Sequence, residues 1–466
     1  MAHRAARARH RRRRRAAILT LGAALLIGFS FAPAAAEGSG PPRGVDFPYE
    51  LGGQVFGQLG FGRIGEDFFL SIVPGVELRF WRLAMAIHAP LRFRVIDRTP
   101  KQSGVLRSED WDELSDYTRI LRFVVYGRPD SPLYVRLGEL AGASLGHGTI
   151  VHHYFNTANI NHYKTGLEAR LDYPFGGGEI LIDNIVDPNV LAARGFARPL
   201  RSLGRLLEEL VLGVTYASDY RAPTTIRTDH HGFPVVTPER RLAAGTAVTT
   251  LFGFDLSWRV VRRDWIEMTP YFDTNFLDLT GQGVHAGLFT RLFLADEVGL
   301  LLRVEYRYLT ERYSAGYFNS AYEIERYQYR RGQPKRRQIR DRQKGPGRHG
   351  FLGEVTVVFP GEGSLTVLSE GHQSGGDNRL MVRLRLPWLG PVMAQLYYSK
   401  HNFAGAKELA EMDDTLLMAE ARFRVWRSFF VFARYARQWH LVERRSGARY
   451  ETLDDWDVGV GAALAF

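Results

Sequence analysis

Residues 298–308 read VGLLLRVEYRY, and an apolar side chain recurs at every second position. The regularly apolar set is Val298, Leu300, Leu302, Val304, Tyr306 and Tyr308, whereas the intervening set includes Arg303, Glu305 and Arg307. Successive side chains of an extended strand point to opposite faces. This stretch therefore predicts a strand with one apolar face and one polar face.

The same alternation occurs at 250–260, 380–386 and 417–425. A soluble β-sandwich would give this pattern too. A transmembrane barrel is favoured because the segments run about 9–13 residues, which is enough for a tilted strand to cross a bilayer. Aromatic side chains also cluster near segment ends, as they do at membrane interfaces. A secreted β-helix or adhesin would need a short fixed repeat, which this sequence lacks.

The connections between segments alternate between tight and long. The tight ones lie at 262–264, 360–363, 388–391 and 427–428, and the long ones at 95–118, 146–164, 219–248, 313–350, 400–414 and 440–454. Outer-membrane barrels have short periplasmic turns and long extracellular loops. The sequence predicts an all-β, antiparallel, up-and-down transmembrane β-barrel of about 18–20 strands. The lower count applies if the weak segments 178–186 and 191–200 are not strands.

The chain has 466 residues, no cysteine and a formal net charge of +11. The lack of cysteine excludes disulfides and thiolate metal sites. Residues 1–36 hold eight arginines, an apolar stretch and an Ala34-Ala35-Ala36 cleavage pattern. This order is typical of a cleaved signal peptide for export. We expect a signal peptide at 1–36, a short periplasmic segment at 37–48 and one barrel domain at 49–466.

The last eleven residues read WDVGVGAALAF. This end resembles the β-signal of outer-membrane barrels, with Gly461, Leu464 and Phe466 at the matching positions. The resemblance implies a porin-like barrel of the Gram-negative outer membrane, of the class that ends in phenylalanine. It also implies recognition by the barrel-assembly machinery, and contact with outer-membrane lipids and lipopolysaccharide.

Strand parity predicts which charged side chains face the lumen. Fifteen arginines and nine carboxylates fall on that face. The predicted pore-lining residues are Arg79, Arg92, Arg94, Arg136, Arg259, Arg303, Glu305, Arg307, Arg383, Arg385, Glu420, Arg422 and Arg424. Rings of arginine favour anions. We therefore expect a passive channel for small hydrophilic solutes with weak anion preference. The alternative is a sealed barrel whose inner charges form cross-strand pairs, serving as a scaffold or adhesin base.

Four histidines, His147, His152, His153 and His162, lie within sixteen residues. Imidazole is a common metal ligand, but this spacing matches no standard site and no carboxylate lies among them. A polar loop without metal is the alternative, and we expect no cofactor.

Glu370, His372 and Ser374 share one strand face near the outer rim. The His-x-Ser pair resembles that of outer-membrane phospholipases. The resemblance implies a nucleophilic serine, a histidine base and an orienting Glu370 or Asn378. Gly375 stands where the phospholipases have asparagine, so the sequence predicts no catalytic site and keeps a lipid hydrolase as a second alternative.

Residues 326–348 carry ten basic side chains and one acid. They lie in the longest connection, which we place at the cell surface, where lipopolysaccharide is the nearest polyanion. A solvated loop is the alternative. Too few aromatic side chains accompany these charges for nucleic-acid binding.

Overall fold

The computed structural model describes residues 49–98, 104–158, 162–204, 207–295, 298–329, 332–343, 345–360, 363–373, 378–444 and 447–466. The predicted signal peptide at 1–36 and the periplasmic segment at 37–48 lie outside the described residues.

The chain forms an antiparallel barrel of twenty strands, which confirms the predicted fold. The first strand pairs with the last, from Gln54 opposite Ala465 to Arg63 opposite Trp456, so the sheet closes. The strands are β1 (Tyr49–Ile64), β2 (Asp67–Trp81), β3 (Leu83–His88 and Leu91–Ile96), β4 (Leu121–Tyr126), β5 (Leu133–Gly138), β6 (Gly166–Tyr173), β7 (Gly176–Ile182), β8 (Val190–Ala197), β9 (Leu210–Ile226), β10 (Ala244–Trp258 and Val261–Arg262), β11 (Ile266–Leu277), β12 (Gly281–Ala295), β13 (Val298–Leu309), β14 (Arg348–Phe359), β15 (Gly363–His372), β16 (Asn378–Leu389), β17 (Val392–Phe403), β18 (Thr415–Trp426), β19 (Phe429–Arg444) and β20 (Gly447–Ala465). The two weak segments of the sequence are strands β7 and β8.

The predicted alternation separates the two faces of the barrel. On β13, Val304 and Tyr306 are exposed on the outer face, whereas Arg303, Glu305 and Arg307 are buried on the inner face. An apolar outer face suits lipid, which cannot solvate a charge. Closure pairs the backbone groups that an open sheet edge would leave without partners in lipid.

The four longest connections follow odd-numbered strands, as predicted, but a twelve-residue connection at 198–209 follows the even-numbered β8. Those used below are L2 (97–120), L3 (139–165), L5 (227–243) and L7 (310–347). The predicted long connection at 440–454 is wrong, because β19 runs to Arg444 and β20 begins at Gly447. Pairing continues through polar residues there, such as His440 opposite Glu451, since backbone hydrogen bonds do not require apolar side chains.

The helices are short and lie in the connections. They are α1 (Leu114–Tyr117) in L2 and α2 (Tyr322–Glu325) and α3 (Lys335–Arg340) in L7, with 3₁₀ turns at Ser108–Asp110, Thr118–Ile120, Arg201–Leu203 and Ala406–Ala410. Within the described ranges, no helix has the length and apolar character of a membrane span.

L3 and L7 fold into the barrel and build apolar cores inside it. In one cluster, Val151 of L3 and Phe318 of L7 pack with Leu181, Leu251 and Leu277 on β7, β10 and β11. A second cluster joins the same loops to the opposite wall, and its members include Phe155, Ile324, Leu352, Leu368, Met381, Tyr397 and Trp439. We call the buried parts of these loops, residues 140–156 and 313–326, the L3–L7 barrier.

Candidate functional site in the barrel lumen

Backbone hydrogen bonds join the two halves of the barrier. Val151 and Phe318 form a parallel bridge. The His152 amide donates to the Phe318 carbonyl at 2.9 Å, and the Phe318 amide donates to the Ile150 carbonyl at 3.1 Å. The Gly316 amide also donates to the Thr149 carbonyl at 2.9 Å. The two loops therefore form one continuous element across the lumen.

A buried lysine fastens L3 to both L7 and the wall. Lys164 Nζ lies 2.8 Å from an oxygen of Asp183 and 2.6 Å from an oxygen of Glu323 on α2. Burial opposes the charged ammonium, but Asp183 and Glu323 together raise the pKa of Lys164 above its usual value. Tyr154 donates a hydrogen bond to Glu323 as well. Because a buried carboxylate needs such partners, L3 and L7 hold each other in place.

L7 is fastened to the wall through polar contacts. Lys335 donates to Glu325 at 2.5 Å and to the Tyr317 carbonyl at 2.9 Å, which ties α3 to α2. The Ser320 hydroxyl lies 3.4 Å from that of Ser399 and 3.1 Å from His401 Nε2, both on β17. The Lys335 contacts lie within L7, whereas those of Ser320 join the loop to a strand. L7 is therefore attached to the barrel without being part of its sheet.

Below these contacts, three arginines and three glutamates form what we call the luminal network. Its members are Arg303, Arg307, Arg379, Glu305, Glu354 and Glu370, on β13 to β16. Arg303 Nη2 lies 2.6 Å from Glu305, and Arg307 Nη1 lies 2.5 Å from Glu370. Arg379 Nη2 lies 3.3 Å from Glu370. With equal numbers of each charge, the network is balanced while the nearby imidazoles stay neutral.

Two histidines of L3 dock on this network. His153 Nε2 lies 2.9 Å and His152 Nε2 3.4 Å from different oxygens of Glu354. Arg379 donates to His152 Nδ1 at 2.7 Å, and Arg303 Nη1 lies 3.1 Å from His152 Nε2. Burial lowers the pKa of both histidines, and their mutual proximity lowers that of His152 further. The docked imidazoles are therefore neutral near pH 7.

The four histidines considered as metal ligands, for which the sequence predicted no metal, do not converge. His147 pairs with Asp273 at 2.7 Å, and His162 lies 3.4 Å from Glu113. His152 and His153 do share a carboxylate, because Glu354 supplies the acid that the histidine run lacks, with ligand atoms within 4.8 Å of one another. The Arg303 guanidinium also faces His152 Nε2, however, and would repel a cation bound there. We assign no metal to this cluster.

Two of the three candidate catalytic residues, Glu370 and His372, lie close together. His372 Nε2 lies 3.3 Å from Glu370, and the Asn378 side chain accepts from the His372 amide at 3.1 Å. Ser374 lies outside the described residues. Glu370 also pairs with Arg307 and Arg379, so its charge is balanced within the luminal network.

The thirteen predicted pore-lining residues fall on the inner face of the strands, opposite the exposed apolar set. Several already have partners. Arg79 lies 2.9 Å from Glu77, Arg92 lies 2.8 Å from Asp110 of L2, and the Arg424 guanidinium stacks 4.4 Å from the Trp388 ring centroid. Whether they line a conduction path stays a prediction.

The surface placement of residues 326–348 is wrong in part. Arg326, Lys335 and Arg348 are buried, whereas Arg337 and Arg340 are exposed. Arg326 lies 3.1 Å from Asp219 on β9, because the loop turns inward and its cations find acids of the wall. The sequence signal for this was the aromatic set Tyr313, Tyr317, Phe318, Tyr322 and Tyr329, which is unusual for a solvated loop.

No protein-family model matches the sequence, and no curated protein matches it. Similar solved structures include a mutant of the ferric enterobactin receptor PfeA of Pseudomonas aeruginosa, with 11% identity, 90% of this chain and 81% of that chain covered, and a TM-score of 0.37. They also include OccK11 (OpdR) of the same organism, with 11% identity, 89% and 96% covered, and a TM-score of 0.31. A third is OccAB3 of Acinetobacter baumannii, with 9% identity, 89% and 99% covered, and a TM-score of 0.33.

At these TM-scores none of the three superimposes closely on the chain. The chain's own architecture is the stronger observation. It has twenty antiparallel strands in a closed sheet, an apolar outer face, a polar inner face, and its four longest connections at one end. The protein is a closed, antiparallel β-barrel of twenty strands with the architecture of outer-membrane barrels.

Proposed function

We propose that this barrel is a gated outer-membrane channel for small hydrophilic solutes, with a preference for anions. The L3–L7 barrier is the gate. It consists of connections rather than strands, so it can move while the barrel stays closed. Loops that close a path and then open it are a common device in proteins that control access to a site.

The observation that carries this proposal is the contrast between the barrier and the wall beneath it. The barrier has an apolar core, but the inner wall on its periplasmic side keeps arginines on β16, β18 and β19, namely Arg383, Arg385, Arg422, Arg424 and Arg434. Burying charges without need is costly. A polar wall below a loop barrier is what a water-filled path closed by a gate requires.

The anion preference follows from the balance of charge on that wall. Those five arginines face the lumen together with two acids of β18 and β20, Glu420 and Asp457. An excess of fixed positive charge inside a low-dielectric wall raises the local concentration of anions.

Planar-bilayer recording of the purified barrel tests the proposal. We expect discrete openings, and a reversal potential under a KCl gradient that indicates chloride over potassium. Arg383→Glu together with Arg385→Glu should shift the reversal potential toward cations. Openings with unchanged selectivity would contradict the anion preference, and no openings in any variant would contradict the channel.

One observation favours a second candidate, a non-conducting scaffold. The barrier packs against both walls, as a permanent plug of the lumen would. A permanently sealed barrel would give no openings, even after the attachment of L7 to the wall is weakened. Ser320→Ala combined with Arg326→Gln weakens that attachment, because it removes contacts with His401 on β17 and Asp219 on β9. Openings in this variant would exclude the scaffold.

A further inference from the structure

We infer that the exposed apolar side chains of L2 are inserted into the outer leaflet of the membrane, where lipid acyl chains cover them. L2 then completes the lipid-facing wall at a side of the barrel where the strands are short. The inference goes beyond the proposed channel, because a sealed barrel would need the same wall. The side chains concerned, which we call the L2 apolar set, are Val105, Leu106, Leu114, Tyr117 and Ile120.

The strands that follow L2 are too short to cross a bilayer. β4 and β5 have six residues each, whereas β13 has twelve. A transmembrane strand at the usual tilt needs about 9–11 residues. Six residues extend roughly 20 Å along the strand, which is less than the apolar band of about 25 Å even before tilt is considered. At β4 and β5, another element must therefore supply part of the lipid-facing surface.

L2 is joined to the sheet where that surface is missing. Leu106 forms an antiparallel bridge with Phe93 in the upper part of β3, and the Arg107 amide donates to the Arg92 carbonyl at 2.9 Å. The lower part of β3 pairs with β4 instead. Phe93 also lies opposite Leu70 of β2, which is exposed on the outer face, and Leu106 is exposed as well. L2 therefore continues the wall above β4, and Leu106 continues its lipid face.

The rest of L2 has polar side chains inward and apolar side chains outward. Asp116 of α1 is fully buried, and so is Asp110, which lies 2.6 Å from Arg119 Nη1. In contrast, Leu114 is 73% exposed and Tyr117 is 55% exposed. Contiguous apolar surface is rarely left in water, because its burial is favourable. L2 has the polarity of the barrel wall, and lipid is the environment that suits it.

The acids beside the L2 apolar set are held by another connection. Glu113 lies 2.7 Å from Arg241 of L5, and Asp112 lies 3.3 Å from Arg240. These ion pairs keep the charges on the side of α1 that faces L5, so insertion of Leu114 does not carry an unpaired acid into lipid. Because the set is continuous with the outer face of β3, the lipid that covers the wall also reaches L2. A second copy of the chain is the competing cover.

Fluorescence quenching of the full chain in phosphatidylcholine vesicles tests the inference. Leu114→Cys and Tyr117→Cys each carry the environment-sensitive fluorophore NBD, and the chain has no native cysteine. The quenchers are doxyl groups on the acyl chains, or iodide on both sides of the membrane. Val304→Cys, on the exposed outer face of β13, is the lipid control, and Arg337→Cys, exposed on α3, is the water control. We expect both L2 variants to lose fluorescence to doxyl lipid as Val304→Cys does, and to resist iodide.

Iodide quenching of the L2 variants to the extent seen with Arg337→Cys would overturn the inference, since the set would then lie in water. Protection from both quenchers would overturn it too, and would assign the cover to a second copy. A heat-modifiable band on gels confirms that each labelled variant is folded. Failure of doxyl lipid to quench Val304→Cys would remove the whole barrel from the membrane, and the channel with it. Failure at L2 alone leaves the proposed channel intact.

Discussion

Val151 of L3 and Phe318 of L7 form a parallel β-bridge inside the lumen, packed against strands β7, β10 and β11 of the wall. L3 follows β5 and L7 follows β13, so the two loops enter from different parts of the rim. Hydrogen bonds between their backbones join L3 and L7 directly to each other. The attachment of the barrier to the wall, through His152 and Ser320, is a separate set of contacts.

Acid should loosen L3. Burial lowers the pKa of His152 and His153 in the docked loop. In the undocked loop both would have the ordinary histidine pKa of about 6.5. Docking of the neutral imidazoles is therefore complete above that pH and is lost as pH falls below it. Protonated His152 would stand beside Arg303 and Arg379, with Glu354 as its only nearby acid among the contacts described above.

We expect the open probability in bilayers to rise between pH 8 and pH 5. The double variant His152→Gln, His153→Gln should flatten this dependence, because it removes the titrating groups and keeps polar side chains. An identical pH dependence in the double variant would show that other groups are responsible.

Phe466 should be needed for assembly. Its amide donates to the Gly53 carbonyl at 2.9 Å, and the Gly53 amide donates to its carbonyl at 3.0 Å, so the last residue helps to close the seam between β1 and β20. A side chain at Gly53 would meet the Phe466 ring at 2.6 Å, which requires glycine there. Phe466→Asp should lower the heat-modifiable outer-membrane fraction severely, whereas Phe466→Tyr keeps the ring. Wild-type levels of Phe466→Asp would refute this role.

A substitution at Val382 tests which face of β16 contacts lipid. Val382 lies between Met381 and Arg383, which point inward, so we expect its side chain to face the lipid. Val382→Arg should lower the free energy of unfolding by about 2–4 kcal/mol if the residue lies near the bilayer midplane, because lipid cannot solvate the guanidinium. Val382→Leu is the matched control. Urea titration in vesicles measures both, and a change below roughly 0.5 kcal/mol for the arginine variant would place Val382 elsewhere.

Two neighbouring residues of helix α3 allow a test of the orientation of the barrel in the membrane. Arg337 is exposed and Ile339 is buried, two residues apart. With no native cysteine, a membrane-impermeant maleimide on intact cells should label Arg337→Cys and leave Ile339→Cys unlabelled. Asp264→Cys, in the turn after β10, should be labelled only after the outer membrane is opened. Labelling of Asp264→Cys on intact cells would invert the orientation.

Strand periodicity predicted the barrel because its physical cause is local. Each residue of β13 shows in the sequence which face it takes, since Val304 must meet lipid and Arg303 must not. Where both faces are polar, as between His440 and Glu451, the same reasoning mistook paired strands for a loop.

The interior of the lumen could not be predicted in this way. His152 meets Glu354, and Lys335 meets Glu325, only after L3 and L7 fold inward. Loop sequences have no regular alternation from which the surroundings of each side chain could be predicted. Arg303 meets Glu305 two residues away, which the sequence could suggest, but it also meets His152 from a segment distant in sequence.

The most direct test of the gate uses the 3.4 Å between the hydroxyls of Ser320 and Ser399, one on L7 and the other on β17. Their side chains are in contact, which is the first requirement for a disulfide between cysteines at these two positions. In the double variant Ser320→Cys, Ser399→Cys, we expect oxidation to abolish single-channel openings and dithiothreitol to restore them, while each single variant conducts in both conditions. Equal conductance of the oxidised and reduced double variant, with the disulfide verified by mass spectrometry, would contradict the proposal that L7 is the gate.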